Sequence, residues 1–278
     1  MEAKLQRRVQ RYGWDLAAAA YEVLWQPQLS VAQARVLAFA AAQPGEQVLD
    51  VACGTGLVAL PAAEAVGPQG HVTGIDISGE MLHAAQRSAD ERGLSNVSFA
   101  RMDAEQLDLP DASFDVVTCA LGLMYVPDPA EAVREMRRVL KPGGRMVIAV
   151  WGERAHCGWA SVFPIVDAEV ASDVCPLFFN LGVGDQLEQL CRQAQFDLIG
   201  QLRINTTLIY ADADEACRAV FVGGPVSLAW SRFDNEVRGR VRAEYLESIA
   251  AWRNGNGYRV PGEFLIVAAR AKAAAVQA

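Results

Sequence analysis

The sequence predicts an α/β fold, a mostly parallel sheet with helices on both faces, and three observations carry that prediction. Short apolar runs alternate with amphipathic helical stretches five times over residues 46–150, the pattern of a parallel sheet covered on both sides. The first run leads through a glycine-rich turn, Gly54-Thr55-Gly56, into a helix. A last apolar stretch, Phe264-Leu265-Ile266-Val267-Ala268-Ala269, stands near the end of the chain.

Residues 1–43 read as two Ala-rich helices, 14–25 and 31–42, broken by Pro27 and closed by Pro44-Gly45. Strands are expected at 47–51, 70–75, 96–101, 114–118 and 145–150. Helices are expected at 57–65, at 78–92 with Ser78 as N-cap and Met81 and Leu82 turned inward, and at 129–140. Lys141-Pro142-Gly143-Gly144 stops the last of these. From Trp151 to about Asn180 the alternation is lost, and aromatic-rich pieces, Gly158-Trp159 and Cys175-Pro176-Leu177-Phe178-Phe179, take over. Helices at 184–194, 212–220 and 235–251 and strands at 196–210 and 262–270 complete the reading. With no repeat and no low-complexity linker, one domain over 1–278 is the simplest division. It comprises a helical lid at 1–43, a core at 44–150, substrate-side insertions at 151–195 and 211–260, and two C-terminal strands.

Composition narrows the function classes. With 52% hydrophobic and 21% charged residues the chain can bury a sizeable core. Its net charge of −8, with only Lys4, Lys141 and Lys272 beside scattered arginines, suits no nucleic-acid backbone. No apolar stretch approaches the ~20 residues that span a bilayer, and no signal-peptide core follows Met1, so a cytoplasmic location is expected. The six cysteines form no C-x-x-C pair, which argues against a structural zinc and for free thiols. A monomer or a homodimer fits equally well.

The residues around the glycine turn carry the chemistry. Glycine lets a ligand approach the backbone, and Gly54-x-Gly56-x-x-Ala59 by itself also fits a loose dinucleotide fingerprint or a tight turn with no ligand. Three acids sharpen the choice. Asp76 ends the second strand, where a carboxylate can accept from both ribose hydroxyls. Asp103 follows the third strand, within reach of an exocyclic amino group, and Asp50 precedes the glycine turn. An acid there repels a pyrophosphate and attracts a sulfonium or α-ammonium group, which favours S-adenosylmethionine (SAM) over NAD.

Here the chain resembles a family. Val48-Leu49-Asp50-Val51-Ala52-Cys53-Gly54-Thr55-Gly56 looks like the first motif of class I SAM-dependent methyltransferases, and Gly74-Ile75-Asp76-Ile77-Ser78 resembles their ribose-binding strand end. Asp103-Ala104-Glu105 with Leu109-Pro110-Asp111-x-Ser113-Phe114-Asp115, and Arg138-Val139-Leu140-Lys141-Pro142-Gly143-Gly144, resemble the ubiquinone/menaquinone-type (methyltransferase type 11) branch. The resemblance implies a Rossmann-like, seven-stranded sheet whose last strand runs antiparallel, with SAM as cofactor and a small-molecule methyl acceptor as partner. It implies that Ala52, Gly54 and Gly56 pack on the methionine part of SAM, that Asp76 holds the ribose, that Ile77 or Met81 flanks the adenine, and that Asp103 and Ala104 meet its edge. Cys119 and Ala120, opening the segment 119–123, would lie below the sulfonium. Trp14-Asp15-x-x-Ala18-x-x-Tyr21 resembles the branch's aromatic lid, although the same residues also read as a core-facing helix.

Methyl transfer needs alignment and exclusion of water, and a base only if the acceptor must lose a proton. Tyr125, after the fourth strand, and His156, after the fifth, are the catalytic candidates; an imidazole with a pKa near about 6.5 suits proton transfer, and an exposed loop histidine is the plainer alternative. The aromatics Trp151, Trp159, Phe163, Phe178, Phe179 and Trp230 could line an acceptor pocket or be ordinary core. Cys157 and Cys175 lack the full pattern of arsenite methyltransferases. The expected function is in-line methyl transfer to an O, N, S or C nucleophile, the alternatives being an NAD-dependent oxidoreductase or a SAM-binding protein that transfers nothing.

Overall fold

A single helix, α1 (Ala3–Ala40), opens the chain in the computed structural model, which describes residues 2–170, 175 and 177–272. Two helices were expected here, and Pro27 was expected to part them. Proline removes one N–H and crowds the preceding turn. Pro27 stands on the exposed side of α1, where water can satisfy the freed carbonyl, and its neighbours are anchored on the other side. Trp25 Nε1 donates to Ala219 O at 3.0 Å, Gln28 Nε2 donates to Ile209 O at 2.6 Å, and Gln28 Oε1 accepts from Ile209 N at 2.9 Å. Tertiary bonds on both sides of the proline therefore override its local preference.

The alternation then follows as read. Strand β1 (Gln47–Val51) passes through the glycine turn into α2 (Ala59–Val66); β2 (His71–Asp76) leads to α3 (Gly79–Glu91), and β3 (Val97–Arg101) follows. Strand β4 (Phe114–Ala120) leads to α4 (Pro129–Val139), and β5 (Leu140–Trp151) comes next. Ser78 caps α3 as expected, its Oγ accepting from Met81 N at 3.2 Å, while Met81 and Leu82 are buried. Strand β5 begins at Leu140, ahead of the expected 145, because Leu140 pairs with Phe114 before the register shifts around Lys141–Gly144.

Beyond Trp151 come 3-10 turns, α5 (Val162–Val170) and α6 (Gln186–Gln193), then β6 (Phe196–Tyr210) with the bounds read from the sequence. Pro176 lies outside the described residues. Helix α7 (Ala213–Phe221) starts at its cap Asp212; α8 (Ser227–Arg232), which the sequence reading lacked, and α9 (Asn235–Ser248) follow. A two-residue β7 (Arg253–Asn254) folds onto β8 (Gly257–Ala271).

The sheet order is β3-β2-β1-β4-β5-β8-β6, with β7 pairing only to β8. Strands β1 to β5 are parallel, and β8 is antiparallel to both β5 and β6. The expected seven-stranded, mostly parallel sheet with an antiparallel last strand is present, with β7 as a minor addition. The order reverses between β1 and β4, so their carboxyl ends diverge and open the crevice in which such sheets take ligands.

Gln28→Ala removes both hydrogen bonds that tie α1 to the Ile209 backbone on the edge strand β6. A loss of about 1–3 kcal/mol is expected, read as a lower urea midpoint at unchanged slope. An unchanged midpoint would show that Gln28 does not hold α1 across Pro27.

Candidate active site

The crevice is a cleft walled by strand ends and roofed by α1. Ala52 and Gly54 come from the turn after β1, Asp76 and Ile77 from the end of β2, and Asp103 and Ala104 from the loop after β3. On the far side Ala120 ends β4, Leu121 and Gly122 follow it, and Trp151 ends β5.

Asp76 organises the near wall. Its Oδ2 accepts from Gly54 N at 2.9 Å and its Oδ1 from Ser78 N at 2.8 Å. Gly54 adopts φ +55°, a left-handed conformation that costs glycine little, and turns its N–H toward this carboxylate. Ser78 Oγ donates to Asp15 Oδ1 of α1 at 2.7 Å, so one chain of bonds runs from glycine turn to lid. Burial pushes the Asp76 carboxyl up to about 6 against the lowering effect of its backbone donors. Asp50 is buried behind it; its Oδ1 accepts from Thr118 Oγ1 at 2.7 Å, and its Oδ2 has no partner. Burial, and then the Asp76 charge, push Asp50 up to about 7.

Two buried acids near neutrality, one with an orphaned oxygen, suit a cationic ligand and repel a phosphate. Arg7, the cation among the described residues lining the cleft, is already committed. Its Nε lies 2.8 Å from Asp103 Oδ2, an ion pair without the alignment of a hydrogen bond, and its Nη2 donates to the buried Glu105. Burial still holds Asp103 above the usual carboxylate range, with Arg7 opposing.

The turn after β4 is fitted to the turn after β1. Ala52 has φ +54°, where an L side chain is strained, and Gly122 makes the space its methyl occupies: a Cβ on Gly122 would lie 2.3 Å from that of Ala52.

The roof is aromatic. Trp14 packs edge-on against Tyr21 and Tyr125, centroids 5.7 and 5.2 Å apart, and Tyr125 meets Phe178 at 5.2 Å. Burial raises both tyrosine hydroxyls above their ordinary value, so they remain protonated at neutral pH. Of the residues expected at the site, Tyr21, Ala52, Gly54, Asp76, Ile77, Met81, Asp103, Ala104, Ala120 and Tyr125 line the cleft. Asp50 and Cys119 are buried but do not line it, and burial pushes the Cys119 thiol up to about 12. Gly56, φ +87°, serves packing instead, since a Cβ there would lie 3.0 Å from the Leu60 side chain.

His156 stands elsewhere. Its ring is half exposed, and Nδ1 lies 3.0 Å from Glu263 Oε2. Glu263 also takes Glu153 N at 3.0 Å and Arg203 Nη1 at 3.1 Å, so the imidazole belongs to an ion-pair group beside β8 and does not reach the cleft. Cys157, whose Sγ faces Glu263 O, and Cys175, which takes a bond from Gln10, are not brought together. No metal-binding cluster occurs among the described residues.

Sequence reasoning missed Arg7, Gln10, Trp25 and Leu29. With Trp14 and Tyr21 they recur at spacings of three, four and seven, one face of a continuous helix, a signal hidden by starting the first helix at residue 14 and ending it before Pro27.

Comparisons with known proteins agree with this geometry. A family model described as a methyltransferase domain matches residues 42–200. Demethylmenaquinone methyltransferase of Listeria welshimeri is 45% identical over 121 residues, 44% of this chain and 51% of that protein. The chain thus spans about half the length of the curated relatives it matches. Among solved structures, the (4+2)-cyclase SpnF superposes with a TM-score of 0.61 at 25% identity, covering 90% of this chain and 83% of that one. Haemonchus contortus phosphoethanolamine N-methyltransferase 2, in complex with phosphomonomethylethanolamine and S-adenosylhomocysteine, shares the fold at TM-score 0.59 and 20% identity, covering 93% of this chain and 57% of that one.

Gly122→Ala forces its methyl against Ala52, and a loss of about 1–3 kcal/mol in thermal or urea unfolding is expected. Adding Ala52→Gly should restore most of it, because the same change removes the opposing methyl and relieves a positive φ. A double variant as unstable as the single one would refute this pairing of the two turns.

Proposed function

The chain belongs to the methyltransferase-domain family, and from that premise we propose that it transfers a methyl group from SAM to a small-molecule acceptor. The observation that carries this reading is the Asp76 carboxylate, buried between Gly54 N and Ser78 N at the mouth of an acid-walled, aromatic-roofed cleft. When bound, SAM supplies a methyl group on a positively charged sulfur, displaced in line to leave S-adenosylhomocysteine.

The residues present fit that cofactor. Asp76 is proposed to hold the ribose with the lone pairs its two backbone donors leave free, and Gly54 to admit the methionine portion against the backbone. Ile77 and Met81 would flank the adenine and Asp103 would accept from its amino group, sharing its charge with Arg7. Asp50, with an oxygen unspent, adds negative potential under the cation. Trp14 and Tyr21 close the roof and exclude water, and their ring faces favour a positive ligand.

Among the described residues lining the cleft, the carboxylates are already engaged, Asp76 by Gly54 N and Ser78 N and Asp103 by Arg7. Tyr21 and Tyr125 stay protonated, and His156 is engaged by Glu263. We therefore assign Tyr125 a positioning part and expect an acceptor that is nucleophilic without help from an enzyme base. An NAD-dependent reading fits poorly, since the pyrophosphate would meet Asp76, with the Asp50 charge behind it and Arg7 already paired. No helix among the described residues is long and apolar enough to cross a membrane, and a cytoplasmic site of action is proposed.

The decisive assay is transfer of labelled methyl from SAM into a pooled panel of thiols, phenols, amines and quinol-like acceptors, with product masses recorded. A labelled product is expected; SAM binding without any label in single turnover would favour a protein that holds SAM and does other chemistry. The acids add a pH signature. Because burial holds Asp76 at about 6 and Asp50 at about 7, above their ordinary value of 3.8, the folded apo protein keeps protons the unfolded chain has released and loses stability as pH rises from about 4 to about 7. Cationic SAM draws out the ionised forms more strongly than S-adenosylhomocysteine, whose sulfur is neutral. The ratio of SAM to S-adenosylhomocysteine affinity should therefore rise between about pH 5 and pH 8 in calorimetric titrations. A flat or falling ratio would contradict the charge assignment.

A further inference from the structure

Helix α1 carries a second ordered face that the cleft does not use. Leu5, Val9, Tyr12, Leu16, Ala19 and Val23 recur at alternating spacings of four and three residues, the repeat that forms the seam of a coiled coil. The residues that line the cleft, Arg7, Gln10, Trp14, Tyr21 and Trp25, stand on the opposite side of the helix. Single apolar residues on a surface are ordinary, but a regular stripe of them marks a contact face. Leu5, Tyr12, Leu16 and Val23 are 46, 44, 50 and 75% exposed, so the described residues leave the stripe uncovered.

Charge decides what fits there. The stripe is flanked by Lys4, Arg8 and Arg11 at its start and by Asp15 and Glu22 farther along. Arg8 and Glu22 stand on the same edge, fourteen residues apart, and among the described residues neither forms an ion pair within the chain. Two copies laid antiparallel about a two-fold axis set Leu5 on Val23, Val9 on Ala19 and Tyr12 on Leu16 of the second copy, and each Arg8 then faces a Glu22. A parallel pair would instead gather Lys4, Arg8 and Arg11 of both copies at one end, like charge against like. Asp15, near the two-fold axis, is turned toward α3, where Ser78 Oγ and Glu80 N donate to it.

The Val23 end of the stripe opens onto a groove between α1 and α3, lined in part by Ala19, Glu22, Val23, Ala84, Arg87 and Glu91. Its alanines offer an apolar floor, and its two acids outnumber its one arginine. Leu5 of a second copy, with Lys4 and Arg8 beside it, complements that groove in both shape of surface and sign of charge.

We propose that the outer face of α1 is the interface of a symmetric, antiparallel homodimer of this chain. The seam runs over residues 5–23, about 27 Å of helix. One helix pair of that length with its flanking groove lies at the small end of specific interfaces, so association at about micromolar concentrations is expected. In the dimer, the helix that roofs one cleft is braced from outside by the roof of the other.

The test is sedimentation velocity of the full chain over roughly 1–200 µM, where a concentration-dependent shift from monomer to dimer is expected. Leu16→Glu, at a half-exposed position, should weaken the dimer roughly tenfold or more. Arg8→Glu should weaken it roughly five- to tenfold, and the double variant Arg8→Glu, Glu22→Arg should restore it, because both ends of each pair are exchanged. A chain that stays monomeric at every concentration would overturn the proposal, and a monomer that co-sediments with phosphatidylglycerol vesicles would assign the stripe to an anionic membrane instead. A dimer indifferent to Leu16→Glu, or a double charge variant no tighter than Arg8→Glu alone, would overturn it as well, each variant being compared at an unchanged melting temperature.

Discussion

Everything at the site depends on a buried carboxylate that has to be paid for by backbone N–H groups. Asp76, 8% exposed, takes Gly54 N on one oxygen and Ser78 N on the other. Those two bonds fix the end of β2 against the turn after β1, which sets the near wall of the cleft. Ser78 then carries the constraint outward, capping α3 with its hydroxyl oxygen and donating the hydroxyl proton to Asp15 of α1. Glycine turn, strand end, helix start and lid are one hydrogen-bonded unit, and the position of the roof follows from the position of the floor.

The parallel sheet explains why this unit lies where it does. Strands β1 and β4 are neighbours, yet the chain leaves them toward opposite sides, so their carboxyl ends part. The near side of the opening receives the acid-bearing ends of β2 and β3, and the far side receives Trp151 from β5. Segregation of charge and aromatic surface across the cleft is thus a consequence of strand order. Antiparallel β8 secures the aromatic side, placing Phe264 opposite Trp151 with ring centroids 4.3 Å apart.

Much of the core was legible in the sequence because its signals are local. The run 47–51, the Ser78 cap and the bounds of β6 each follow from a few adjacent residues. The acids Asp76 and Asp103 could be placed because strand ends project into a crevice by topology alone. What escaped depends on distant contacts. Continuity of α1 across Pro27 requires Gln28 to reach β6, and nothing near Pro27 announces that. His156 looked free on its loop because Glu263 lies 107 residues away. Gly56 looked like part of the ligand cradle, but the proximity of Leu60 gives it a packing role.

The central claim is that the Asp76 junction builds the cofactor site, and SAM titrated calorimetrically into the unaltered chain and into Asp76→Asn tests it most directly. The account predicts saturable binding to the first and a loss of roughly 1.5–3 kcal/mol in the second, since the amide cannot replace the charge or accept from both backbone groups. Equal affinity in a variant that melts as the unaltered chain does would contradict it.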